Sequence, residues 1–293
     1  MMLNQSCDAQ YVSARKRKGL IVMQLKDSKG RLSGQTAHFP VAMPRLSNTL
    51  LQTSLFAAVL AVSAMVLPAK AASKDQVEMA DSLTKPYHAH YVLSRRGTER
   101  GEAQRVLEQK EDGQWRYFTS TRARLLVFSD RRENETFFRI EEGRVKPLIF
   151  DYSREGTGSN RALRVRFDYD NQEVVSEGGD DVNVEWHDGL LDPNAVLHQL
   201  QIDVAGDADS WTYPLVDESG DYRDYEFARH GTETLKLPFG EVEAIRVDRV
   251  RDHNRRQTLF WFAPELNYTL VKMQQIEDDR EQLQIQLTDL DMN

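Results

Sequence analysis

The chain has 293 residues, with 38 Lys and Arg against 46 Asp and Glu, a formal net charge of −8. An acidic surface repels phosphate backbones and anionic lipid headgroups, so nucleic acid is a poor partner. The single cysteine, Cys7, leaves nothing downstream for a disulfide, a thiolate metal site or a thiol nucleophile.

Residues 1–42 are rich in polar and basic side chains and show no convincing period. They are expected to lie outside the fold, either as an upstream start-codon extension or as a long disordered leader. Met43 begins a segment shaped like a secretory signal peptide, residues 43–71: Arg45, an uncharged run LFAAVLAVSAMVL at 55–67, and the small-x-small triplet Ala69-Lys70-Ala71. The run is too short to span a bilayer, which takes about 20 residues. A buried helix is the competing reading. Cleavage is expected after Ala71, and Ala72 rather than a cysteine follows, so no lipid anchor is expected at that point. The expected product is a soluble periplasmic protein with no membrane span once the signal is removed. Losing residues 1–71 takes away nine of the basic and two of the acidic residues, which leaves a net charge of −15.

Residues 72–86 read as a flexible polar leader. From Tyr87 onward, short alternating segments recur between Gly, Asp, Asn and Pro. Strands are expected at 87–93 and 103–107, then at 115–123 after the turn Glu111-Asp112-Gly113-Gln114. Two more, 135–140 and 144–152, flank Glu141-Glu142-Gly143-Arg144, a compact hairpin signal. Leu163, Val165 and Phe167 alternate with Arg164, Arg166 and Asp168, the pattern of a strand with one wet face. The period changes at Asp192, an N-cap followed by Pro193 at the first helical position, and the spacing predicts one helix over 193–204. Strand signals then resume at 211–216, 222–228, 232–237, 242–251, 257–262, 268–276 and 282–287.

The stretch 258–277, TLFWFAPELNYTLVKMQQIE, is apolar on both faces of its first strand. Two-sided burial requires a second layer or a sheet that curls over on itself. Pro264 and Asn267 fit the tight connection, because Pro cannot donate to a central ladder and Asn tolerates the left-handed conformation. Residues 87–290 are therefore expected to form one all-β domain, an antiparallel meander curled into a β-roll or open barrel with a single short helix.

Several pieces resemble an exported bacterial family, domain of unknown function 3108. They are LPFGEVEAIRV at 237–247, FWFAPELNYTLVKM at 260–273, PLIFDY at 147–152 and DGLLDP at 188–193. Asn267 stands where the family more often has Gly. The resemblance covers about Tyr87 to Leu290 and implies a mostly antiparallel roll, similar in outline to periplasmic lipoprotein carriers. It implies no established activity and no catalytic residues.

The chemistry-bearing candidates each compete with a plainer reading. His88 and His90 share a strand face and would supply two metal ligands, but zinc needs a third, so no metal is assigned. GTGSN at 156–160 places its serine one position too late for a nucleophile elbow. His187, Asp188 and Asp192 cluster near the helix entry, where capping competes with general-base chemistry. No catalytic residue and no cofactor is assigned. Arg122 and Arg124 share a strand face, with Arg131 and Arg132 expected at a turn nearby; together they suit an anionic headgroup, unless Glu133 and Glu135 neutralise them. Trp115, Tyr117, Trp186, Trp211 and Trp261 would line an apolar cavity or a sugar platform, or form ordinary core. Arg122, Arg124, Trp115, Tyr117 and Trp211 are the candidate ligand-binding residues.

The function expected from these features is non-catalytic. It is binding of a lipid or other amphipathic envelope molecule, or of an envelope protein. The alternatives are a structural interaction protein with a filled core and a hydrolase acting on cell wall or glycan. A cavity separates the first two, and two convergent titratable groups in a cleft would mark the third.

Overall fold

The computed structural model describes residues 11–17, 20–26, 32–34 and 74–292, apart from 126, 127 and 254. The signal peptide at 43–71 lies outside the described residues. The chain divides into two units, Met1–Met65 and Val66–Asn293. In the first, β1 (Tyr11–Arg17), β2 (Leu20–Lys26) and β3 (Leu32–Gly34) form a small antiparallel sheet in that order, where no regular structure was expected.

The second unit begins with α1 (Lys74–Leu83), a helix where a flexible leader was expected. Ala80 and Leu83 are buried against the main core, which orders this segment. Seven strands follow as a meander. They are β4 (Tyr87–Arg95), β5 (Thr98–Gln109), β6 (Trp115–Leu125), β7 (Phe128–Glu141), β8 (Arg144–Gly156), β9 (Arg161–Asp168) and β10 (Glu173–Gly179). After α2 (Pro193–Val204) come β11 (Ser210–Val216), β12 (Tyr222–Leu237), β13 (Gly240–Val250), β14 (Arg256–Ala263), β15 (Thr269–Glu277) and β16 (Arg280–Met292). The thirteen strands make one antiparallel sheet in the order 10-9-8-7-6-5-4-16-15-14-13-12-11. β4 and β16 pair at the centre, Tyr87 opposite Met292, and α2 links the two edge strands, β10 and β11.

The sheet curls because its ladders are interrupted. Bulges lie at Leu93/Ser94, Phe137/Phe138, Arg229/Gly231, Trp261/Phe262, Gln275/Ile276 and Leu287/Asp289, and each bends its strand. At Gly101 the backbones of β5 and β6 approach so closely that a Cβ would lie 1.8 Å from the carbonyl oxygen of Arg122. The bulge at Arg229/Gly231 turns two expected strands into the single bent β12. β10 escaped the sequence reading because it is Glu- and Gly-rich and mostly exposed; its pairing with β9 makes it a strand.

α2 fills the roll. Asp192 caps it as expected, its Oδ1 accepting from the N–H groups of Asn194 (2.9 Å) and Ala195 (3.0 Å). The helix is buried almost all round, polar residues included, so each polar side chain needs a partner. Asn194 Nδ2 donates to the Tyr117 carbonyl on β6 (3.0 Å), and its Oδ1 accepts from Thr119 (3.0 Å). Gln199 Oε1 accepts from Val145 N–H on β8 (2.8 Å), and Gln201 Nε2 donates to the Asn267 carbonyl (2.9 Å). Asn267 has φ 54° and ψ 39°, the left-handed turn expected after the Pro264–Leu266 turn. These bonds reach both halves of the sheet and fix its curvature around the helix.

The two-sided burial of β14 has two sources. Phe260 and Phe262 join the core around α2. Trp261, 3% exposed, lies beneath side chains of its own sheet: Lys272 Nζ sits 4.3 Å from the ring centroid, and the indole N–H donates to Glu233 (3.1 Å). The second layer is thus made of long charged side chains whose stems cover the ring, not of another sheet.

Candidate functional site

An open cleft of about 690 Å³ lies where α1, the β7–β8 turn, the end of α2 and the edge strand β11 meet. Gly143 lets the turn pack on α1: its φ is 73°, and a Cβ there would meet the Gln76 carbonyl oxygen at 2.8 Å. Met79, Ile202 and Trp211 supply the apolar wall. Arg229 lies over Trp211, its guanidinium 5.5 Å from the ring centroid, and donates to the carbonyls of Val204 and Gly206. Those bonds tie down the chain leaving α2.

The polar centre of the cleft is Asp203, in the last turn of α2. Its Oδ2 accepts from Tyr213 Oη (2.8 Å) and Arg144 Nη1 (3.1 Å), and its Oδ1 accepts from Gln199 Nε2 (3.1 Å). Burial, reinforced by Asp203, drives the Tyr213 hydroxyl far above its ordinary range, so it stays a donor. Three donors occupy the carboxylate, which ties α2, β8 and β11 together. An acid in the last turn of a helix opposes the dipole, a sequence signal that could have singled out Asp203 but was not used.

The floor of the cleft is an unpaired strand edge. β11 is the last strand of the sheet, and its outer side is bonded only near its end: Leu191 N–H donates to Pro214 O (2.9 Å), and Val216 N–H donates to Leu191 O (3.0 Å). Backbone groups alternate sides along a strand, so the N–H and C=O of Thr212 face the same open side as those of residues 214 and 216. Thr212 is exposed, and among the described residues its outward groups have no partner.

The five expected ligand-binding residues do not converge. Trp211 alone lines this cleft. Tyr117 is buried; its hydroxyl accepts from Tyr87 Oη (3.1 Å) and Arg105 Nη1 (3.1 Å), so it is core. Trp115 packs half-buried against the main core. Arg122, 52% exposed, pairs with Glu102 (3.6 Å) beside a second groove of about 410 Å³, and Arg124 is exposed on the same strand. Arg131 and Arg132 lie inside β7, not at a turn, and pair with Glu133 (2.6 Å) and Asp130 (2.9 Å). The arginine clamp expected from the sequence is therefore largely neutralised by neighbouring acids. His88 and His90 do stack, ring centroids 4.3 Å apart, but no third metal-ligating side chain joins them among the described residues. His187 stacks on Tyr222 at 4.5 Å, while Asp192 is buried as a cap. These two residues of the helix-entry cluster thus serve separate structural ends.

Among curated proteins none matches this sequence. A solved structure, the "Beta-barrel-like Protein of Domain of Unknown Function DUF1849 from Brucella abortus", is similar in fold with a TM-score of 0.50 and 11% identity, over 71% of this chain and 98% of that one. The likeness is one of architecture, a curled antiparallel sheet. The family model described as "Protein of unknown function (DUF3108)" matches residues 86–288, and the chain belongs to that family.

Proposed function

We propose that this protein is an exported, non-catalytic binding protein of the bacterial envelope, and that its cleft takes an extended segment of an envelope protein by strand addition along β11. The observation that carries this reading is the free edge at Thr212, lying in the floor of that cleft between an apolar wall and a fixed polar cluster. Strand addition draws affinity from main-chain hydrogen bonds and specificity from pockets for alternate side chains. The interior of the roll is filled by α2, which argues against an apolar ligand swallowed whole. The signal peptide read at 43–71 supports export.

A second reading, an amphipathic small molecule in the same cleft, draws support from the volume of about 690 Å³, within the usual range of small-molecule sites. Photo-crosslinking in the exporting host separates the two, with the probe at Thr212 and a reference probe at exposed Lys236. Adducts from position 212 should map to one short segment of a single protein and be missing from position 236. A lipid or glycan adduct at 212 favours the second reading, and identical adducts from both positions overturn both.

A further inference from the structure

The structure places three arginines with no acidic partner at one end of the β13–β14 hairpin. Arg249 lies opposite Phe227 on β12, and directly opposed residues share a face, so its side chain runs along the inner face of the roll. Its guanidinium stacks 3.3 Å from the centroid of the Tyr225 ring, two residues before Phe227. Arg251 Nη2 donates to Thr258 Oγ1 (3.2 Å), and Nη1 reaches the carbonyl of Arg256 (3.4 Å). Arg256 itself is exposed at the start of β14.

Several arginines on the other half of the sheet are matched with acids: Arg154 with Asp130, Arg164 with Asp151 and Glu177, Arg166 with Asp168 and Glu177. Glu277, across the ladder from Arg256, and Asp278 face Arg255 at 3.9 and 3.4 Å, and Asp252, exposed in the hairpin turn, makes no ion pair with any of the three arginines. Glu218, on the β11–β12 turn, reaches Arg249 only through its field, and burial raises its own pKa toward the neutral form. Among the described residues, Arg249, Arg251 and Arg256 make no ion pair, and the Nε of Arg249 is buried without a hydrogen-bond partner. Burial, then the fields of Arg249 and Arg256, bring Arg251 down to about 10; burial, with Arg256 adding to it, lowers Arg249 as well. Two half-buried cations, with a third exposed one that repels both, are an uncompensated arrangement in an acidic protein unless an anion completes it.

We propose that Arg249, Arg251 and Arg256 form a binding site for a phosphate group, with Tyr225 fixing the guanidinium plane of Arg249 and Thr258 orienting Arg251. Guanidinium pairs match tetrahedral oxyanions through paired N–H donors, and an aromatic ring beneath one of them keeps it in position without using those donors. The site is separate from the β11 cleft and does not depend on the function proposed for it. The phosphate belongs either to a lipid headgroup or to a small soluble ester.

Two arms of one experiment distinguish these sources. The purified protein is titrated with inorganic phosphate by calorimetry, and sedimented with phosphatidylglycerol vesicles against phosphatidylcholine vesicles. Binding is expected in at least one arm and should weaken with salt. Arg249→Gln/Arg251→Gln should weaken it about 10- to 100-fold, the loss of hydrogen bonds to a charged group. Arg256→Gln, at an exposed position whose charge contributes little to folding, should weaken it several-fold with unchanged thermal unfolding. Loss in the vesicle arm alone assigns the headgroup; loss with inorganic phosphate assigns the soluble ester. No binding in either arm would overturn the site, as would binding that these variants leave unchanged or that Arg122→Gln/Arg124→Gln lowers equally.

Discussion

α2 carries two fully buried titratable groups whose effects on stability oppose each other. Asp192 receives three hydrogen bonds at Oδ1, from Thr136 Oγ1 (2.8 Å) and from two backbone N–H groups, while its Oδ2 has none. Burial outweighs those donors and pushes its carboxyl up to about 7. His198 packs between the rings of Tyr117 and Phe138. Thr84 Oγ1 gives its proton to the Ala80 carbonyl, so in the 3.1 Å contact with His198 Nε2 it accepts. The proton of His198 is thus on Nε2, and Nδ1 faces the interior without a partner. Burial lowers this imidazole to about 4.

The signs follow from linkage. A carboxyl raised from its ordinary value near 4 to about 7 contributes stability at low pH that is lost as pH rises through that window. An imidazole lowered from its ordinary value near 6.5 to about 4 contributes stability above 6.5 that is lost as pH falls toward 4. Between pH 4.5 and 7 each is worth on the order of 3 kcal/mol, and the two nearly cancel. Urea unfolding across that range tests them through differences from wild type, which cancel the contribution of every other acid. Asp192→Asn, which keeps a capping oxygen, should gain about 3 kcal/mol on wild type as pH rises. His198→Gln should lose about the same over the same interval. Difference profiles that stay flat, or that slope the same way, would refute the assigned burial of the pair.

Trp261→Ala should destabilise the fold by roughly 3–5 kcal/mol in chemical denaturation, because the ring is buried beneath Lys272 and bonded to Glu233. Gly101→Ala should cost several times the ~1 kcal/mol of a typical point mutation, since the new Cβ would overlap the Arg122 carbonyl; a thermal midpoint within a degree of wild type contradicts the close approach. Asn267→Gly retains the left-handed turn but loses the 2.8 Å bond from Nδ2 to the Leu83 carbonyl. It should therefore speed amide exchange in α1 at a stability cost of about 1 kcal/mol. N-terminal sequencing of the exported protein should find Ala72 first, and removing residues 1–42 should leave export intact.

Much of the fold could be read one element at a time. The alternation of Leu163, Val165 and Phe167, the hairpin at Glu141–Arg144, the cap Asp192-Pro193 and the turn ending at Asn267 all stand in the structure at the expected places. The candidate site was much less legible. Tyr117 and Trp211 look alike as strand aromatics, yet one is core and the other lines a cleft. Arg122 and Arg249 look alike as strand arginines. Register sets Arg122 opposite Glu102, where it pairs, and sets Arg249 opposite Phe227, beside the ring of Tyr225.

Strand periodicity, capping and turn chemistry are local: they depend on alternate side-chain directions and on backbone groups within a few residues, and the amino-acid order alone settles them. Tertiary structure decided everything that depends on distant pairing. Tyr87 meets Met292 because β4 and β16, far apart in sequence, pair at the centre of the sheet. The same pairing leaves β10 and β11 as edges, and so creates the unpaired backbone at Thr212. α2 reads as an ordinary half-polar helix, but within the curled sheet its polar face is buried as well. Asn194, His198, Gln199 and Gln201 therefore become internal fasteners rather than a wet surface. A buried polar group requires a partner, and the sheet, not the local sequence, determines which partner is in reach.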